Sequence, residues 1–526
     1  MKSTIRSLTL ILAAVFILSE SRLCYAQTKK DDPEKKKIEL LHAEELMFDR
    51  DISPDFRILR GDVQFKHNKT LLFCDTAFLY QDENRVEAFG HIHITEEGDS
   101  LNVYAKKLYY DGDSRLAELH DSVFLYDKGM TLTTEHLEYE MKEKVASYYE
   151  GGKIVDSANT LTSVRGYYYS EERLLFFKDS VILVNIDYTM YSDTLKYLTE
   201  TEVAHFFGPT KILAKENTIL CRNGWYDTKK EKCQFNHQAS LNNKEKTLAG
   251  DSLFYDRGIG FGKAIGNISF TDTVHHSVIT GQYSEYHEKQ DFTLVTDSAL
   301  FTLAGKKDTF YLHADTLFSV LENRAADSML MADSTVQDTA RLIFAYHHAK
   351  FFRKDFQGLC DSMVYNLRDS IFRCFGTPVF WNDTVQLSAR MIEAFTGDNR
   401  IDSIHLLDSA FVISQKDTIR FDQVKGEIMQ GYFRDNEMKC IIVSGYGETI
   451  YYLEDEAGAL IGVNRADAAN LILIMDNSEF KTISFISRPS GTIFPDNQIP
   501  DADRRLPAFL WQIERKPTSR YDVFFW

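Results

Sequence analysis

Apolar and polar positions alternate along most of this chain in short runs, and the runs recur. GDVQF (61–65), GHIHI (90–94), DSVFL (121–125), GGKIV (151–155), DSVIL (179–183), GNISF (266–270) and GTPVF (376–380) each open on Gly or Asp and continue with alternating apolar residues. Period two over such runs predicts strands with one covered face. A second mark keeps step with the first: Tyr80, Tyr110, Tyr139, Tyr168, Tyr197, Tyr226, Tyr255 and Tyr286 lie 30, 29, 29, 29, 29, 29 and 31 residues apart. With 27 Tyr among 526 residues, chance would place fewer than one on eight chosen positions. Phe48, Phe318, Tyr365, Phe395, Phe433 and Met475 extend the series. A fixed period means repeated units stacked on a shared core, here with at least two strands in each repeat of about 29 residues. Turn formers such as Asp111-Gly112-Asp113 and Asp256-Arg257-Gly258 predict that these strands run antiparallel.

Offsets within the Tyr strand predict its shape. Two residues before Tyr stand Phe78, Leu108, Leu137, Leu195 and Leu253, on the same face. Seven before stand Phe73, Val103, Leu132, Leu161, Met190, Ile219, Leu248 and Ile279, an odd offset that a regular strand would turn to the other face. Between them, five before, the residues are short: Ala105, Thr134, Ser163, Ser192, Cys221, Gly250 and Gly281. A parity break beside a small residue predicts a bulge or corner, so that the strand bends and keeps both apolar ends inward. Stacked bent strands form either an open groove with two facing walls or a closed parallel β-helix. The recurring Tyr favours the groove, because its hydroxyl needs a partner and suits a lip better than a dry axis. On this phase Leu253 and Tyr255 line one stretch of groove with Ile268 and Phe270. Phe78 and Tyr80 pair likewise with Ile92 and Ile94, and Leu108 and Tyr110 with Val123 and Leu125.

The ends read differently. Met1 to Ala26 has a basic start (Lys2, Arg6), an apolar run from Leu8 to Leu18 and a small residue for cleavage, which predicts a secretory signal peptide. A charged linker follows (27–37), then a repeat block (38–322), an inserted loop or short helix (323–341), a second repeat block (342–486) and a Pro-rich C-terminal segment (487–526) that holds five of the nine Pro. Just before that segment, Asn470–Met475 and Lys481–Ile486 around Asp476-Asn477-Ser478 predict a final hairpin. The chain carries 60 Lys and Arg against 78 Asp and Glu; removal of the first 26 residues leaves 57 and 77, a net charge of −20. That balance argues against nucleic acid as a partner. Of the six Cys beyond the signal, Cys221/Cys233 and Cys360/Cys374 are close enough in sequence to bridge neighbouring strands, while isolated thiols in strand cores are the commoner arrangement.

Candidate chemistry is sparse. Gly258-Ile259-Gly260-Phe261-Gly262 falls where a repeat turn is due, with a strand after it where a dinucleotide loop needs a helix. His91 and His93, His275-His276 and His347-His348 recur with no carboxylate or Cys at matching phase, so no metal site is predicted. The Asp-Ser pairs at 121, 179, 251, 297, 361, 369 and 408 sit at repeat phase and read as turn and strand-start residues. Without a G-x-S-x-G, H-E-x-x-H or P-loop motif, no enzyme activity and no cofactor are expected.

The pattern "apolar, small, acidic, apolar, Tyr, Asp" followed by "Gly-Asn/Asp-Val/Ile" stands here as Leu248-Ala249-Gly250-Asp251-Ser252-Leu253-Phe254-Tyr255-Asp256 with Gly266-Asn267-Ile268-Ser269-Phe270, and again at Gly61-Asp62-Val63. In this the chain resembles the OstA-like (LptA-like, organic solvent tolerance) family of lipopolysaccharide-transport proteins over about 38–486. The resemblance implies an all-β fold, an elongated open β-jellyroll whose interior holds acyl chains, and a non-catalytic transport scaffold in the periplasm or at the outer membrane. It implies lipopolysaccharide or a related amphiphile as ligand, with other envelope lipid-transport components as partners and head-to-tail self-association through end strands. The chain is several times the size of a single such domain and too short for the family's large membrane barrel, which points to transport or a bridge. The alternative is an exported β-helix that binds or cleaves polysaccharide.

Overall fold

The structure, a computed structural model, describes residues 37–48, 55–98, 100–305, 308–321, 341–397, 400–435, 437–455, 457, 459–476 and 479–526. The expected signal peptide, most of the charged linker and residues 323–340 of the expected insertion lie outside the described residues. As far as Phe494 the rest forms a single sheet of 36 strands, numbered β1 to β36 in chain order, and residues 495–526 follow with three short 3-10 turns; no α-helix occurs among the described residues.

Full-width strands pair with the next in the chain, from β3 (Arg57–His67) with β4 (Thr70–Tyr80) to β33 (Glu437–Glu454) with β34 (Leu460–Asp476), two half-strands in succession share a neighbour where a position is divided, and every pairing is antiparallel. This rules out the parallel β-helix. Pairing continues across the expected insertion, since β24 (Thr316–Leu321) joins β25 (Arg341–Arg353) with Thr316 opposite Tyr346. It also runs past residue 486, because β36 (Ser490–Phe494) pairs with β34. The predicted last hairpin is present as β34 and β35 (Glu479–Ile486).

A corner interrupts each pairing at the expected place. Opposite the short residue of the Tyr strand, its neighbour carries an extra residue and a pair in the left-handed region: Gly61-Asp62, Gly90-His91, Asp121-Ser122, Asp179-Ser180, Gly266-Asn267, Asp297-Ser298, His347-His348 and Asp408-Ser409. The corner belongs to the Gly/Asp strand, and the short residue gives it room. The Asp-Ser pairs at 121, 179 and 408, expected at turns or strand starts, thus lie inside strands. Gly and Asx or Ser fit because they tolerate positive φ, and a carboxylate of the facing strand closes the corner. Asp251 accepts from Asn267 Nδ2 at 2.8 Å and Asp75 pairs with His91 at 2.7 Å.

The corners fold the sheet lengthwise into two limbs. One carries the Tyr series; the other, the facing limb, carries Ile92, Val123 and Ile268. The buried core lies between them in two long clusters, one ending at Ile268 and the next beginning at Ile279. Each fully buried Leu or Ile there contributes about 2 kcal/mol.

Candidate functional site

The inner face of the folded sheet holds ten of the twelve expected groove residues. Ile92, Ile94, Leu108, Tyr110, Val123, Leu125, Leu253 and Ile268 are buried between the limbs, and Tyr255 and Phe270 point the same way but are half-buried. Phe78 and Tyr80 do not join them. In β4 the inward residues are Ala77 and Leu79, while Phe78 and Tyr80 face outward against Phe56 and Phe89, with the Arg85 guanidinium over the Tyr80 ring. The spacing of 30 between Tyr80 and Tyr110 carries this slip. One extra residue exchanges the faces of a strand.

The Tyr hydroxyls stand at the lip, where they tie the limbs together. Tyr110 shares a hydrogen bond of 2.5 Å with His67 Nδ1 of the facing limb, and Tyr168 donates to Asp127 at 2.6 Å. Lys144 reaches Glu96 across the same lip at 3.7 Å. Burial pushes the Tyr110 phenol well above its ordinary range and that of Tyr148 up to about 12. Sequence reasoning placed Tyr at the lip but missed its partners, because His67 and Asp127 lie 43 and 41 residues away and carry no mark of the repeat.

Further along, the lip parts. Tyr110, Tyr139 and Tyr168 are 3%, 1% and 6% exposed, Tyr197, Tyr226 and Tyr255 are half-buried, and Tyr286 is 37% exposed. On the facing limb Ile219 and Leu248 lose cover over the same stretch, as does Cys233 on the Tyr limb. Small residues thin the wall here: Gly250, Gly262, Ala264 and Gly281 all point inward. Tyr255 donates to Glu288 at 2.5 Å on its own side of the groove, so this hydroxyl does not bridge to the other limb. Beyond Ile279 the interior closes again around Phe310, Phe351, Phe372 and Phe380, leaving a cavity of about 30 Å³.

The remaining candidates are structural. His91 is exposed at a corner, and His93 stacks between Phe73 and Tyr104. No cluster of three His, Cys, Asp or Glu that could hold a metal ion occurs among the described residues. The six Cys are free thiols, and burial raises the Cys221 thiol to about 12 and that of Cys233 to about 11.

Residues 35–193 and 189–252 match the model of the OstA-like protein family. No curated protein matches the chain. The matched segment takes in the first corners, the lip contacts and the start of the parted stretch, and over residues 35–252 this chain is similar to the OstA-like protein family.

Proposed function

We propose that the protein is a non-catalytic lipid-transport scaffold of the periplasm, active in outer-membrane assembly, that carries lipopolysaccharide or a related amphiphile between its two limbs. The observation that carries this reading is the parted stretch of the inner face from Tyr197 to Tyr286, where aliphatic and aromatic side chains of both limbs are half-buried. Apolar surface left partly in water at the mouth of an otherwise packed groove is where an acyl chain gains most. Each methylene moved out of water contributes about 0.8 kcal/mol, so a dozen contribute on the order of 10 kcal/mol. A phosphorylated head group stays in solvent, which suits a chain of net charge −18. To move along the closed stretch a lipid must part the limbs, breaking contacts such as Tyr110 with His67 and Tyr168 with Asp127. End strands with unpaired backbone would join the protein to further copies or to other envelope lipid-transport components.

Photo-crosslinking in cells tests the groove. A probe at Tyr255 or Phe270, on the half-buried inner face, captures lipopolysaccharide or its lipid anchor, whereas probes at the outward neighbours Phe254 and Ser269 capture none. Capture at the outward positions alone makes the inner face a dry core and defeats the reading.

A further inference from the structure

The segment after β36 does not trail away from the sheet. From Pro495 to Trp526 it runs back across the outer surface of the facing limb, from β34 to β25 and β23 (Thr309–His313). Two buried glutamines hold it as a neighbouring strand would. Gln423 donates to Arg504 O at 2.9 Å and accepts from Leu506 N at 2.8 Å; Gln386 donates to Leu510 O at 2.7 Å and accepts from Gln512 N at 2.8 Å. Lys350 Nζ donates to Phe525 O at 2.7 Å near the far end. This strap's own Ile499, Leu506 and Val523 are buried on the side that faces the sheet.

Its other surface is unlike the rest of the molecule. Leu510, Tyr521, Phe525 and Trp526 are 60%, 60%, 71% and 53% exposed. The strap as a whole carries five Lys and Arg and five acids, but Asp496, Asp501 and Asp503 are clustered at its start and paired with Arg504 and Arg465, which leaves residues 505–526 with four Lys and Arg against two acids in a chain of net charge −18. Among the described residues Arg505, Arg515, Lys516 and Arg520 form no ion pair. Three of them lie on rings instead: Arg515 over Trp526 at 5.1 Å, Arg520 over Tyr521 at 4.7 Å, and Arg505 over Phe509 at 4.5 Å.

We propose that the strap is a bilayer-docking surface that seats on the headgroup layer of an anionic phospholipid membrane. Exposed Trp, Tyr and Phe interleaved with Arg and Lys are what the polar boundary of a bilayer accommodates, rings at headgroup depth and cations against phosphates. The charge match also sets the orientation. The acidic remainder is repelled by such a membrane, and at physiological salt each charge acts over about 8 Å, so the basic face alone is drawn in. Because the strap crosses successive strands, this part of the sheet would lie along the membrane with the outer side of its facing limb toward the lipid.

Co-sedimentation of the full chain with vesicles of phosphatidylethanolamine and phosphatidylglycerol, compared with phosphatidylcholine vesicles, tests this. The parent partitions at least tenfold more strongly onto the anionic vesicles. Either double variant, Phe525→Ser with Trp526→Ser or Arg515→Glu with Arg520→Glu, loses that partition while keeping the parent's circular dichroism and melting profile. Ile186→Ser, which alters an exposed apolar residue in a distant turn, keeps it. Equal binding to both vesicle types, or equal binding by folded parent and folded double variants, overturns the proposal. So does a folded parent that stays in the supernatant with both vesicle types, which would leave the face to a protein partner.

Discussion

Asp422 lies in β32 (Phe421–Arg434) with no exposed surface, its Oδ1 accepting from Tyr452 N at 2.9 Å and its Oδ2 without a hydrogen-bond partner. Burial raises its carboxyl from 3.8 to about 7; the Tyr452 hydrogen bond and the Lys416 ammonium oppose that rise, and Glu454 and Glu479 add to it. Lys416 itself spans the lip to Glu479 of the Tyr limb at 3.4 Å, beside the Tyr451 hydroxyl that donates to Phe480 O at 3.0 Å. Because the folded state holds this proton more tightly than the unfolded chain, stability is undiminished below about pH 4. It falls as pH rises toward 7 and reaches its full loss of about 4 kcal/mol above that. Asp422→Asn keeps the acceptor for Tyr452 N and cannot ionise, so its melting temperature exceeds the parent's at pH 8 and matches it near pH 4. A parent-like fall of the variant's melting temperature between those pH values would assign the loss to another group. Burial also separates two candidate groove residues. Leu253→Asp places a charge at a buried position and costs several kcal/mol, whereas Phe270→Asp, at a half-buried position, costs less and is read as lost lipid capture. Urea midpoints that rank the two the other way would show that the inner face is not parted at Phe270.

At the scale of the strand, the corner decides which side chains meet. Gly266 sits at φ +72° and a Cβ there would lie 2.4 Å from the Asp251 carboxylate, while Gly129, in a turn at φ +85°, has open space around it. Both sites charge an Ala the left-handed cost of about 1–2 kcal/mol. Only Gly266→Ala must also displace the carboxylate that closes the corner, so its urea midpoint falls further than that of Gly129→Ala. The bend was legible because the Tyr series and the odd offset of seven are both local in sequence. A one-residue slip was not: the out-of-phase Tyr80 still matches the series by residue type, and only its spacing of 30 and the small Cys74 six before it mark the change. The strap was legible only as five Pro without strand pattern. What covers the facing limb shows instead in the sheet, where alternation gives way to continuous apolar runs such as Val379-Phe380-Trp381 and Ala410-Phe411-Val412-Ile413. Those strands are buried on both faces, Phe380 and Val412 toward the groove and Phe411 and Ile413 with the strap residues Ile499 and Leu506. Continuous runs report that a second cover exists; they do not say which segment supplies it, since that contact spans over a hundred residues at Gln386.

The whole molecule inherits its dimensions from one repeated step. Eight positions in the sheet are split into two separately bounded half-strands, so the 36 strands occupy 28 full-width positions in an unbroken series. At about 4.8 Å between neighbouring strands, the 27 gaps give a length of about 130 Å. The two core clusters run along this length and not around a centre, so each strand position is stabilised mainly by its neighbours and by the limb opposite, as in other repeat arrays. The strap is the exception, because it couples β34 to β25 across intervening strands and ties that end of the sheet into one unit. Elongation follows from the pairing order and does not depend on whether lipid is bound. Small-angle scattering of the purified protein should therefore give a radius of gyration on the order of 38 Å, set by a rod of that length. A globule of 526 residues would give about 24 Å. A value near the globular figure would mean that the sheet curls back on itself, bringing distant repeats together and closing the parted stretch between Tyr197 and Tyr286 to a lipid.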